Sequence, residues 1–126
     1  MGKSHRTQML AEEIRKIVSE MLIKGELKDP AFKAMLGISG VDVTNDGSYA
    51  TLYITALSYT PGKEFTDEDR KKVLDAFNRS QGFIRSTINK RCKVRYVPEL
   101  IFKFDTSFDY GAKMDKILDE LKAKEG

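Results

Sequence analysis

The strongest constraint on this 126-residue chain is a parity pattern. Residues 49 to 57 place Ala50, Leu52, Ile54 and Ala56 on one side of an extended strand and Tyr49, Thr51, Tyr53 and Thr55 on the other. Alternation of this kind suits a sheet with one face against a core and one face open. The run before it, 37 to 44, carries Ile38, Val41 and Val43, and Asn45-Asp46-Gly47-Ser48 lies between the two, so they are expected to pair as a hairpin. Residues 99 to 105 alternate again, with Leu100, Phe102 and Phe104 opposite Ile101 and Lys103, which predicts a third strand. Gly37-Ile38-Ser39-Gly40 has the spacing of a G-x-x-G loop but sits in strand sequence, where a bend or bulge is the better reading.

Such a sheet cannot bury its apolar face alone, and the remaining segments supply helices to cover it. Over residues 4 to 24, Leu10, Ile14, Ile17, Val18 and Met21 recur at three- and four-residue spacing, and Gly25 stops the helix. Lys28-Asp29-Pro30 reads as a connector, because Pro30 biases Asp29 away from helical angles. Residues 58 to 65, with Pro61-Gly62, form a loop, and Thr66-Asp67-Glu68-Asp69 opens a second helix with a near capping box. That helix runs to about Ser80 with Val73, Leu74 and Phe77 inward, breaks at Gly82 and resumes with Phe83, Ile84 and Ile88 inward. From residue 107 a closing helix is expected, with Met114, Ile117, Leu118 and Leu121 as its stripe. The expected architecture is α+β, one domain over residues 1 to 126, in the order helix-strand-strand-helix-kink-helix-strand-helix with the helices on one face of a three-stranded sheet. The strand order is not fixed by pattern.

Function classes can be excluded from composition. A chain of this length buries enough surface to need no metal or disulfide staple. No run approaches the roughly 18 apolar residues of a spanning helix, and the first eight residues are polar, so a cytosolic protein without membrane contact is expected. One cysteine, Cys92, rules out an internal disulfide, and one histidine, His5, rules out the common zinc patterns. His5 sits before a helix and reads as a solvated residue. Lys90, Arg91 and Lys93 could lower the Cys92 thiol pKa, but burial as a small apolar residue is the preferred reading. Glu12/Glu13 and the acids at 67 to 69 suit first turns and solvated helix faces. Pro61-Gly62-Lys63 lacks the upstream glycine and following hydroxyl of a phosphate loop. No catalytic group, metal or cofactor is expected.

Charge is split along the chain. Residues 70 to 103 hold ten Lys/Arg and two acids, a local +8, while the rest carries 12 basic and 17 acidic residues, or −5. A split of this sort points to a polyanion partner for one face. Its centre is Arg79-Ser80-Gln81-Gly82-Phe83-Ile84-Arg85, where Gly82 would allow a sharp kink and the freed amides of the second segment would favour an anion. The candidate RNA-binding residues are Lys72, Arg79, Ser80, Gln81, Gly82, Arg85, Lys90, Arg91, Lys93 and Arg95. RNA is preferred to duplex DNA because no recognition helix for a major groove is evident. Phe83 could stack on a base, but an aromatic beside a helix break is more often core, and core is the reading taken.

The chain resembles the bacterial ribosome-binding factor A family. The resemblance rests on Lys28-Asp29-Pro30, Val41 with Thr44-Asn45-Asp46, Gly82-Phe83-Ile84-Arg85, Arg95-Tyr96-Val97-Pro98-Glu99-Leu100 with Phe102, and Asp105-Thr106-Ser107 with Gly111, in order from about Arg6 to Leu121. It implies a type-II K-homology-like fold in which an Ala-x-Gly kink replaces the Gly-x-x-Gly loop. Here that kink reads Ser80-Gln81-Gly82, and the serine is a departure that adds a hydroxyl. It also implies a non-enzymatic assembly factor that binds the small ribosomal subunit and its RNA, assists late maturation including the 5′ end, and matters in the cold. A monomer is expected. The sequence stops at Gly126, so functions of the longer charged tail of some members are not expected. The alternatives are an RNA-processing nuclease or modifying enzyme using the acids and Cys92, and a protein-binding scaffold using the Tyr49/Tyr53 face.

Overall fold

A computed structural model describes residues 5–33, 36–56, 66–92, 94 and 96–105. The closing helix expected from residue 107, the 58 to 65 loop, Lys93 and Arg95 lie outside the described residues. The first helix, α1, spans His5–Ile23 and buries Ile14, Ile17, Val18 and Met21, each buried side chain contributing about 1.5–3 kcal/mol relative to exposure. Gly25, at φ 68°, closes it in a Schellman arrangement: its amide donates to Leu22 O at 3.3 Å and that of Glu26 to Met21 O at 3.0 Å. A 3-10 turn, Pro30–Lys33, follows where the pattern suggested only a connector.

Strands β1 (Leu36–Val43) and β2 (Tyr49–Ala56) form the expected antiparallel hairpin. Gly47, at φ 74°, donates to Thr44 O at 2.9 Å to make the turn. Strand β3 (Glu99–Phe104) lies parallel to β2, giving the order β1-β2-β3 with β2 central. A parallel pair needs a long crossover, and helices α2 (Asp67–Arg79) and α3 (Gln81–Cys92) fall within it. The register sets Ala50 beside Leu100, Leu52 beside Phe102 and Ile54 beside Phe104, so one sheet face is wholly apolar.

The bend expected at residues 37 to 40 is a β-bulge between Ile38 and Gly40. It explains a phase change in the sequence. Leu36 and Ile38 are even-numbered, Val41 and Val43 odd-numbered, and one extra residue lets both pairs face the same core. The extra residue is Ser39, whose hydroxyl donates to Asp105 Oδ2 at 2.7 Å, tying the bulge to the end of β3.

Phe77, fully buried on α2, joins the layers: its ring meets Phe32 of the 3-10 turn edge-on at 4.8 Å and stacks on Phe102 of β3 at 4.9 Å. No described helix is long and apolar enough to cross a membrane.

The capping box at α2 is formed as expected. The Thr66 hydroxyl accepts from the Asp69 amide at 3.1 Å and the Asp69 carboxylate accepts from the Thr66 amide at 3.0 Å. Thr66→Ala is expected to cost about 1 kcal/mol in a urea titration at pH 7. The Thr66 amide, then its hydroxyl, hold the Asp69 carboxyl below its ordinary value. A lowered carboxyl stabilises the fold above the ordinary pKa near 4, and that contribution is lost as pH falls through the lowered value. Acidification below about pH 4 should therefore reduce stability less in Asp69→Asn than in the unaltered protein.

Candidate nucleic-acid interface

Helices α2 and α3 meet at Ser80, which takes φ −90°, ψ 1° and lets its amide donate to both Ala76 O and Phe77 O. The break therefore belongs to Ser80, in the bridge region open to most residues, and not to Gly82 as the sequence suggested. Among the described glycines only Gly25 and Gly47 have positive φ, and a Cβ built on Gly82 meets nothing within 4 Å. What Gly82 contributes is an open surface beside the helix start. The first α3 turn closes with the Ile84 amide on Ser80 O at 3.0 Å, so the amides of Gln81, Gly82 and Phe83 precede the internal ladder. The Ser80 hydroxyl makes no hydrogen bond to a described residue.

The helical period sorts α3 into faces. Ile84 and Ile88, four apart, point into the core. One flank serves the sheet: Gln81 Oε1 accepts from the Leu100 amide at 3.0 Å, and Arg85 Nη2 donates to Val97 O at 2.9 Å. Arg85 Nε is buried without a hydrogen-bond partner among the described residues, so this guanidinium is partly taken out of water by the fold. On the other flank Arg91 holds Glu20 at 3.0 Å and Glu26 at 3.3 Å, joining α3 to α1 and the chain just after it. Gly82, Phe83, Ser86, Asn89 and Lys90 form the solvent face, all exposed.

Arg79, at the end of α2, is 62% exposed and pairs with Asp29 at 2.7 Å. That bond and the Ala31 amide hold the Asp29 carboxyl below its ordinary value. A cleft of ≈ 440 Å³ opens between the Asp29 region and α2, with Lys72 and Arg79 facing Asp29, Asp69 and Asp75. Three carboxylates against two cations make it a poor phosphate pocket. Lys72 and Lys90 are exposed; neither forms an ion pair with a described acid, though the charge of Lys72 helps to hold the Asp69 carboxyl down.

Lys93 and Arg95 lie outside the described residues, and the other eight candidates separate. Lys72, Gly82 and Lys90 face solvent, as does Ser80 in part; Arg79 and Arg91 are shared with carboxylates; Gln81 and Arg85 brace β3 and the chain leading to it. Phe83 corrects the sequence reading, being 54% exposed instead of core. A signal for this was present: the Ile84/Ile88 pair already defines the buried stripe, and Phe83 lies about 100° off it. Cys92 is half-buried, and burial, then Glu13, push its thiol up, against activation by its basic neighbours. Among the described residues no three of His, Cys, Asp and Glu converge as a metal site requires.

Comparison with known proteins places this geometry. The family model for ribosome-binding factor A matches residues 6–118. This chain belongs to the ribosome-binding factor A family. A ribosome-binding factor A of Caldanaerobacter subterraneus is 38% identical over 97% of this chain and 93% of its own length. A solution NMR structure of a ribosome-binding factor A from Thermotoga maritima, 29% identical, superposes with TM-score 0.62 over 82% of this chain and 90% of its own. A homology model of the Thermus thermophilus ribosome-binding factor A, 21% identical and fitted into a cryo-EM map of that protein's complex with the 30S particle, matches with TM-score 0.58 over 79% of this chain and 96% of its own. The fold is the family's α+β, K-homology-like one.

Proposed function

We propose that this chain is a non-enzymatic assembly factor that binds the small ribosomal subunit through its RNA and assists late maturation of that subunit, including the 5′ end. The observation that carries the reading is the solvent face of α3, which bears Lys90 and no carboxylate, has the exposed Arg79 at the helix junction beside it, and starts where the first α3 amides precede the internal ladder. Cations there neutralise phosphates by counterion release, with the α3 amides favouring an anion at the kink. The Thermus thermophilus relative seated on a 30S particle supports the same partner. The protein acts in this reading as a single-domain monomer in the cytoplasm.

A factor useful only during assembly must distinguish a free subunit from a joined ribosome, and a preference of roughly 3 kcal/mol gives more than hundredfold discrimination. Gradient sedimentation of labelled protein with free small subunits and with joined ribosomes, at equal magnesium and salt, tests this. Co-migration with the free subunits alone is the expected result, and equal occupancy of both particles would defeat the assembly reading.

A further inference from the structure

The solvent face of α3 carries a chemistry that charge alone does not require. Among the described residues the most exposed aromatic rings are Tyr96, at 80%, and Phe83, at 54%, ahead of Tyr49 at 46% on β2, whereas Phe32, Phe77 and Phe102 pack on one another in the core. The rings of Tyr96 and Phe83 belong to opposite flanks of one helix. Gln81 and Arg85, a turn apart, reach the Leu100 amide and the Val97 carbonyl, which fixes the chain containing Tyr96 along their flank. Phe83 is turned roughly 160° from Arg85, onto the far flank, and Lys90 follows it two turns later on the same line. Between the flanks lie Gly82, Ser86 and Asn89, none longer than asparagine, and Gly82 has open space where a Cβ would stand.

We infer that this face binds unpaired RNA nucleotides, with bases stacked on Phe83 and Tyr96 and the sugar-phosphate strand laid over Gly82, Ser86 and Asn89 towards Lys90. The inference rests on the RNA reading above and names the part of the RNA that is bound. An exposed apolar ring in line with Lys90, on a helix that has no carboxylate of its own, fits a ligand that is both anionic and flat. A base inside a duplex has its faces occupied by its neighbours, so only loops, bulges and ends can offer one to a side chain. The small residues on the strip let a backbone come close, and the helix, about 18 Å long, spans only a few nucleotides.

The chain has no tryptophan, so Phe83→Trp introduces a single reporter at the site. The variant is titrated with a 12-nucleotide oligouridylate, with an RNA duplex of the same length and with a polyglutamate peptide, all at one salt concentration. Oligouridylate is expected to quench the tryptophan saturably, while the duplex and the peptide leave it nearly unchanged. Phe83→Ala and Tyr96→Ala should each weaken oligouridylate binding roughly tenfold, with Phe83→Tyr retaining it and with unfolding midpoints unchanged. Equal quenching by polyglutamate or by the duplex would show a mere polyanion surface and overturn the inference. So would unaltered affinity in both alanine variants. If Phe83→Ala/Tyr96→Ala sediments with free subunits as the unaltered protein does, the stacking inference falls while the assembly reading stands; failure of the unaltered protein to bind subunits rejects the latter by its own test.

Discussion

Phe77→Ala should cost about 3–5 kcal/mol, the range for deleting a fully buried phenyl ring. The total stability of a domain is on the order of 5–15 kcal/mol, so the variant is expected to be close to unfolded at 37 °C. The size of the effect follows from position. Phe77 touches Phe32 edge-on and Phe102 face-on, so its loss opens the junction of the 3-10 turn, α2 and β3 together, and two rings lose their partner. Phe83→Ala, the same chemical change six residues on, provides the control. With its ring 54% exposed, it should shift the urea midpoint little. Equal losses in the two variants would show that Phe83 packs as a core residue after all.

That contrast also shows where the sequence was legible. Periodicity identified both faces of β2, the α1 stripe and the α2 capping box, because each is a local pattern read over a few residues. The bulge was expected from Gly37 and Gly40 standing in strand sequence, and the structure adds the reason, since apolar positions 36 and 38 and apolar positions 41 and 43 cannot face one core without an inserted residue. Parallel pairing of β3 beside β2 was not legible, because it depends on how a long crossover closes and not on any short pattern.

The interface was less legible than the fold, for a physical reason. A charge count along the chain treats every Lys and Arg in residues 70 to 103 as available. Folding returns acids from outside that window onto them: Asp29 to Arg79, and Glu20 and Glu26 to Arg91. Arg85 is drawn towards the backbone of Val97, and Gln81 towards the Leu100 amide on β3. Long-range pairing of this kind leaves no trace in local composition. It turns eight equal candidates among the described residues into a ranking led by exposed residues that form no ion pair with a described acid.

The ranking predicts opposite outcomes for two kinds of substitution. Lys72→Glu/Lys90→Glu should reduce the slope of log affinity for small-subunit RNA against log salt by about 2 and weaken binding at 0.1 M salt by at least tenfold. Its melting temperature should fall only slightly, because both side chains are exposed and neither forms an ion pair with a described acid, although the new carboxylate at position 72 faces Asp69 and Asp75. Arg85→Gln should behave differently, lowering the melting temperature through loss of the Val97 contact while leaving the salt slope nearly intact. Arg79→Glu and Arg91→Glu fall between, since each removes a cation from the surface and sets a new carboxylate against Asp29 or against Glu20 and Glu26. Filter binding across a salt series, paired with thermal melts of the same samples, separates these cases. A salt slope that drops by the same amount in Arg85→Gln as in Lys72→Glu/Lys90→Glu would show Arg85 leaving Val97 to meet a phosphate. The bracing role assigned to Arg85 would then be wrong, and the interface would extend over the flank of α3 that faces the sheet.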